Sequence, residues 1–174
     1  IESLSPLSSD IRSHYIKLYT IVNIYFIIII CYNAAMKKNK YLILTILWMI
    51  FIFVMSQTPG NDSSKQSNFI VDIIIHILPI TRDTLSFIVR KCAHMTEYAI
   101  LAFLIYKTIV HIEKSLVKSF IFTFLYACTD EFHQLFIAGR AGQFRDVCID
   151  STGALIMILI IYIINKRKDK KIGS

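Results

Sequence analysis

Eight side chains in this sequence could do chemistry together, and their spacing is what singles them out. His94-Met-Thr-Glu97 sets an imidazole three residues before a carboxylate. Asp130-Glu131-Phe132-His133-Gln134 interleaves two such pairs, Asp130 with His133 and Glu131 with Gln134, and Asp146 and Asp150 stand four apart. Residues three or four apart share a face of a helix, so each pair is placed to act on one ligand. Two chemistries are open to such a set. Carboxylates and imidazoles at helical spacing hold a divalent cation, for which His94, Glu97, Asp130 and His133 are the candidate ligands. They also run general acid–base hydrolysis, with His94 or His133 as base and Glu97, Asp130 or Glu131 orienting it. Arg140, in the glycine-flanked Gly139-Arg140-Ala141-Gly142, suits a forked contact with phosphate or carboxylate. Gln134, Arg140, Asp146 and Asp150 are therefore the candidate ligand-binding residues. No spacing here is a diagnostic metal or nucleophile motif, so the pattern predicts a site and leaves open whether the protein is an enzyme.

The elements that must carry these groups are apolar. Hydrophobic residues make up 55% of the 174-residue chain and charged residues 18%, against usual shares of about 45–50% and about 25%. The excess lies in blocks of Ile, Leu, Phe and Tyr, which excludes a disordered chain; four cysteines in this length exclude a secreted disulfide scaffold. The fold expected is all-α, a small polytopic membrane bundle with four transmembrane helices counted from Met36. The spans are residues 41–55, 93–110, 116–138 and 147–164, and a shorter apolar run over 69–80 suits a re-entrant or interfacial helix in the outer loop. No small-x-small cleavage site follows residues 41–55, so a signal peptide fits that stretch poorly.

Lysines and arginines give the orientation. Eleven lie on the side holding Lys37, Lys114 and the run after residue 164, and six on the other, which includes Lys65, Arg82 and Arg145. Both ends of the stretch counted from Met36 are then cytoplasmic, in a bacterial cytoplasmic membrane, with loops 56–90 and 139–145 outside. On this topology the outer ends of three spans bring together His94, Glu97, Asp130, Glu131, His133, Gln134, Asp146 and Asp150. Five of the chain's twelve acidic residues would meet there. A carboxylate in hydrocarbon costs roughly 2.5–3.5 kcal/mol even on a lenient scale. Five of them must therefore be paired, metal-bound, neutralised or turned to a wet pocket. A structural ion-pair network is the plain reading, and a pocket for a ligand at the outer face is the functional one.

Other features carry less. Residues 1–35 precede Met36-Lys-Lys-Asn-Lys40, a natural opening for a membrane protein, and are expected to be upstream sequence translated with the gene; the alternative is an extra helix over 18–31. Cys92, Cys128 and Cys148 read as small buried hydrophobes rather than a disulfide or thiol-metal site. His76, four residues after Asp72, suits a local hydrogen bond, and His14 and His111 are assigned nothing. The +7 formal charge sits mostly beside apolar blocks, as orientation signals that touch anionic lipid, so no nucleic-acid partner is expected.

These polar blocks also resemble a known family. Lys91-Cys-Ala-His94-Met-Thr-Glu97-Tyr98, Asp130-Glu131-Phe-His133-Gln134, Gly139-Arg140, Asp146-x-x-x-Asp150, Gly153-Ala154 and Met55-Ser56-Gln57-Thr58-Pro59 occur in the order seen in VanZ-like membrane proteins. The resemblance runs from about residue 36 to 164. It implies a helical envelope protein associated with glycopeptide, chiefly teicoplanin, resistance. Its partners would be the lipid bilayer and either the drug or a lipid-linked envelope precursor. The alternative function is an intramembrane hydrolase or transferase acting on a lipid-linked phosphate or peptide, with a divalent cation as the one cofactor to consider. The nine polar residues from His94 to Asp150 are motif positions in this likeness. One departure is Ile156, where such proteins often carry glycine, which would loosen a close helix contact.

Overall fold

The computed structural model describes residues 40–57, 71–75, 80–137 and 142–172, with isolated positions at 14, 17, 21 and 25. Four helices account for most of these: α1 (Lys40–Ser56), α2 (Arg82–Ile109), α3 (Ser115–Gln134) and α4 (Phe144–Ile172). No strand occurs among the described residues, so the all-α expectation holds.

Cross-helix hydrogen bonds fix the direction of each helix. Near its start α1 meets the end of α2, where the Thr45 and Thr108 hydroxyls lie 3.0 Å apart. Near its end α1 meets the end of α3, where Ser56 Oγ donates to Asp130 at 2.8 Å. Lys91 and Asp146 join the early turns of α2 and α4, while Asn165 donates to Tyr106 near their other ends. The four helices thus alternate in direction, and each polar block falls at the same end of the bundle.

Packing follows from residue size. Tyr98, Leu101, Ile105 and Ile109 of α2 meet Met49 and Ile52 of α1 and Tyr126 and Ala127 of α3 in one buried cluster. A second cluster joins Ala102 and Tyr106 of α2 to Ala154, Ile158 and Ile161 of α4. Here the helices approach so closely that a Cβ on Gly153 would collide with the Met95 carbonyl oxygen. Small residues allow this, and the close approach adds dispersion contact along the whole seam. Ile156, expected to loosen such a contact, points outward at 47% exposure and lies off the seam; Gly153 is the residue that makes it.

Helix boundaries differ from the apolar spans in an instructive way. Residues 82–90, expected in the outer loop, form the first turns of α2, begun by an N-cap in which Thr81 Oγ1 accepts from the Thr84 backbone N–H. At the far end α4 continues through Lys166–Lys171, because Lys and Arg are good helix formers. The α2–α3 connection is tight enough to put Lys114 in the left-handed region, at φ 56°. Of the helix expected over 69–80, the turn at 71–74 is described, with Val71 fully buried; Asp72 pairs with Arg82, and His76 lies outside the described residues. The segment 1–35 is likewise outside them apart from its four isolated positions.

Among the described residues one helix is long and apolar enough by itself to cross a membrane, over Phe144–Lys171. The 17-residue α1 is apolar but shorter, and α2 and α3 carry the ionisable groups that lower their hydropathy. Only the fourth of the expected spans therefore stands on its own composition.

Candidate functional site

Asp130 is the best-buried ionisable group in the cluster, with no exposed surface. It lies on the inward face of α3, which runs Ser119, Thr123, Tyr126, Ala127, Asp130, His133 and Gln134 and is buried throughout. That face repeats at the three- and four-residue spacing of a helix stripe, so the packing that buries the tyrosine also buries the acid. Two donors meet Asp130 Oδ2: Ser56 Oγ of α1 at 2.8 Å and Gln134 Nε2, one turn on, at 3.0 Å. A third donor, the Tyr98 hydroxyl of α2, also bonds the Asp130 carboxyl group.

Around it stand the other acids. Glu131, 6% exposed, accepts from the Gln143 backbone N–H at 3.1 Å. Gly142 presses so tightly on the Glu131 carbonyl that a Cβ there would collide with it, so glycine lets the segment before α4 fold onto α3. Asp150 is 2% exposed on α4. On α2 the His94 Nδ1 lies 3.2 Å from Glu97 Oε2. Trp48 of α1 donates to the Glu97 backbone carbonyl at 2.9 Å. At the rim Lys91 Nζ is 2.6 Å from Asp146 Oδ2, with Arg145 4.0 Å from the other oxygen.

These groups form one neighbourhood. His94 is within electrostatic range of Glu97, Asp150 and Asp130, Glu131 of Asp146, Asp130 and His94, and Asp150 of His94, Glu131, Asp130 and Asp146. Three helices, α2, α3 and α4, thus deliver five carboxyl groups to one end of the bundle. A fourth contribution comes from α1 through Ser56 and Gln57.

His133 stands differently. Its Nε2 is 2.6 Å from Gln57 Nε2, and its ring packs at 5.4 Å on Phe53. It therefore faces α1, and Asp130, its partner by spacing, turns to Ser56 and Gln134. Glu131 likewise bonds Gln143 while Gln134 bonds Asp130. Sharing a face placed these residues correctly and named their partners incorrectly, except for His94 with Glu97. The proposed ligand set His94, Glu97, Asp130 and His133 does not close on one point, and among the described residues no three His, Cys, Asp or Glu side chains are grouped to hold a metal ion. Arg140 lies outside the described residues. Cys92 and Cys148 are exposed rather than buried, Cys128 is half-buried, and all three are free.

A family model for VanZ/LLP1 matches residues 41–165, a stretch that covers all of α1 to α3 and most of α4. The chain belongs to the VanZ/LLP1 family. No curated protein and no solved structure matches it. Family membership and the long apolar α4 mark it as a membrane protein. Ser56, Gln57 and Gln143 are residues of this VanZ/LLP1 site that spacing alone did not select. Ser56 and Gln57 were legible only as part of the Met55–Pro59 block, without a role.

Chemically the cluster offers an imidazole oriented by a carboxylate, His94 with Glu97, the pairing that general base catalysis uses. It also offers a deeply buried acid, Asp130, held by donors from three helices: Ser56 of α1, Tyr98 of α2 and Gln134 of α3.

Proposed function

We propose that this VanZ-like protein crosses the bacterial cytoplasmic membrane with all four helices and binds a glycopeptide such as teicoplanin, or a lipid-linked envelope precursor, at its outer face. The membrane part is supported by what the bundle turns outward. The helix α1 exposes Ile43, Leu44, Leu47, Ile50, Phe51 and Val54 while burying Thr45 and Ser56. Exposed Val117, Ile121 and Leu125 continue this collar on α3, and Leu155, Leu159 and Ile163 on α4. Water rejects so continuous an apolar surface, and lipid accepts it. The lysine-rich end then lies in the cytoplasm, which turns the carboxyl cluster outward.

The observation that carries the binding role is the convergence of Glu97, Asp130, Glu131, Asp146 and Asp150 from three helices on one end. Holding drug or precursor there lowers the drug's access to its target, and His94 adds an imidazole to the polar lining.

Alanine variants at Glu97, Asp130, His133 and Arg140 are expected to lose teicoplanin resistance while vancomycin susceptibility changes less, at unchanged protein abundance. Loss of phenotype only in step with loss of abundance would reduce the cluster to a scaffold. Orientation is checked separately by impermeant thiol labelling. A cysteine placed at Arg140 should react from outside and one at Lys114 only after permeabilisation; the reverse pattern would invert the topology.

A further inference from the structure

The basic end of the bundle carries charge that the chain itself does not neutralise. Nine lysines and arginines lie there among the described residues: Lys40, Lys107, Lys114, Lys118 and five of the six residues 166–171. The acids beside them are Glu113 and Asp169. Among the described residues no ion pair forms at this end; those of Arg82, Lys91, His94 and Arg145 all belong to the other. Residues 166–171 are exposed throughout, as are Lys40, Lys114 and Lys118. On α4 Lys166 stands four residues before Lys170, and Arg167 four before Lys171. Like charges at that spacing oppose a helix, and anions from outside the chain relieve the repulsion.

Helix geometry sets the depth of these charges. From Asp146, in the ion pair at the outer end, to Lys166 the helix α4 rises about 30 Å, which is roughly the thickness of a hydrocarbon core. It then runs on as helix to Ile172, so residues 167–171 occupy about 7 Å, matching a headgroup layer of roughly 5–7 Å. The bond from Asn165 to Tyr106 of α2 fixes this level between the two helices. Three helices mark the same boundary with a lysine laid over a ring. Lys40 lies over Tyr41, Lys107 over Phe103 and Lys166 over Tyr162, at 5.3, 5.5 and 5.8 Å. A lysine stem along an aromatic ring, with its ammonium at the polar edge, suits a membrane interface.

The distribution of charge selects the partner. Residues 166–171 cover more than a full turn, so cations face every side of α4, and further ones stand on α1, α2 and the start of α3. A nucleic acid or an acidic protein meets one face of such a bundle, whereas the headgroups of a leaflet surround it. Eight of the nine cations are lysines, compact charges that bind phosphate without a forked geometry. We infer that the basic end is a docking surface for anionic phospholipids of the cytoplasmic leaflet, centred on residues 166–171 of α4 and extended by Lys107, Lys114 and Lys118. This rests on the reading of four membrane-crossing helices and adds the class of lipid they hold at one end.

The full chain is reconstituted in phosphatidylcholine bilayers that carry a trace of spin-labelled phosphatidylglycerol or of spin-labelled phosphatidylcholine. Electron paramagnetic resonance then gives the fraction of each labelled lipid held at the protein. Phosphatidylglycerol is expected to associate about fivefold more strongly, the scale of one lysine near an anionic lipid surface. Raising the salt from about 0.1 to about 1 M shortens the screening length from about 10 to about 3 Å and should bring the ratio close to one. Glutamine at Arg167, Lys168, Lys170 and Lys171 together should lower the preference by half or more, and arginine at the same three lysines should keep it. Lys107→Gln with Lys118→Gln serves if the fourfold variant does not fold. Arg82→Gln, at the other end and paired with Asp72, should leave the ratio unchanged.

Equal association of the two lipids, with a cysteine at Lys114 still unreactive from outside, overturns the lipid assignment and keeps the four-helix reading. A preference that survives 1 M salt, or that the glutamine variants leave intact, arises elsewhere than at these charges and overturns it as well. Saturable binding of fluorescent poly-glutamate without any lipid preference gives this end to an acidic soluble partner instead. A cysteine at Lys114 that reacts from outside removes the orientation, and the cytoplasmic docking surface with it.

Discussion

The two ends of this bundle are built from the same four helices and hold themselves together by different means. At the lysine-rich end the buried polar groups are neutral and matched: Thr45 meets Thr108 at 3.0 Å, and Asn165 donates to Tyr106 at 2.9 Å. At the other end they are ionisable, with Asp130, Glu131 and Asp150 buried and without a Lys or Arg partner among the described residues. Neutral pairs join helices at little desolvation cost, each contributing on the order of 0.6 kcal/mol. Carboxyl groups cost more to bury and repay it only with a partner. The first end shows that helix association in this protein does not require charge. Charge at the second end therefore calls for another explanation, and a ligand supplies one.

The strongest way to break the contrast is to separate the ends mechanically. Gly153 sits where α2 and α4 touch at the level of Met95, between His94 and Glu97, and no Cβ fits there. Gly153→Leu forces the helices apart at the polar end while leaving Thr45–Thr108 and Asn165–Tyr106 distant from the insult. Overpacking of this kind costs roughly 1–3 kcal/mol and more where backbone is struck. The variant is expected to unfold at lower temperature in detergent and to lose the resistance phenotype. Ile156→Leu, on the exposed side of the same helix, should change neither. Equal stability of Gly153→Leu and the parent would mean that the seam is loose and that the carboxyl groups are not held together by it.

How much of this was readable beforehand differs between the two ends as well. Apolar blocks and lysine counts placed four helices in order and put all the polar motifs at one level, because period and charge asymmetry are properties of each segment alone. Partner choice was not readable. Whether Asp130 turns to His133 or to Ser56 depends on the rotation of α3 against α1, set by where Tyr126 lodges its hydroxyl, 2.8 Å from the Met49 carbonyl. No residue spacing within α3 contains that information. Helix starts were missed for a related reason: Arg82, Asp83, Arg90 and Lys91 look like loop to a reading based on apolarity, yet the Thr81 cap and the exposed position of the first turns make them helix. The matched neutral pairs of the basic end escaped entirely, since threonine and asparagine carry no signal until a partner is seen.

The smallest expected effect tests the neutral end. Thr45 Oγ1 lies 2.8 Å from the Tyr41 carbonyl, and Thr108 Oγ1 2.9 Å from the Leu104 carbonyl. Two hydroxyl hydrogens thus serve three contacts: one hydroxyl donates to its own helix while the other donates across the interface. Thr45→Val is isosteric, keeps the packing at a fully buried position, and removes one hydroxyl. A double cycle with Thr108→Val, read by thermal unfolding in detergent, should give a coupling of about 0.6 kcal/mol and no more than about 1.7 kcal/mol. Neither single variant should alter teicoplanin susceptibility. A coupling larger than that range would mean that the neutral end carries the bundle's specificity, and the division of labour between stability and binding would have to be redrawn. A coupling near zero would leave the apolar clusters alone as the source of association, and the buried carboxyl groups would stand out further as groups kept for something other than the fold.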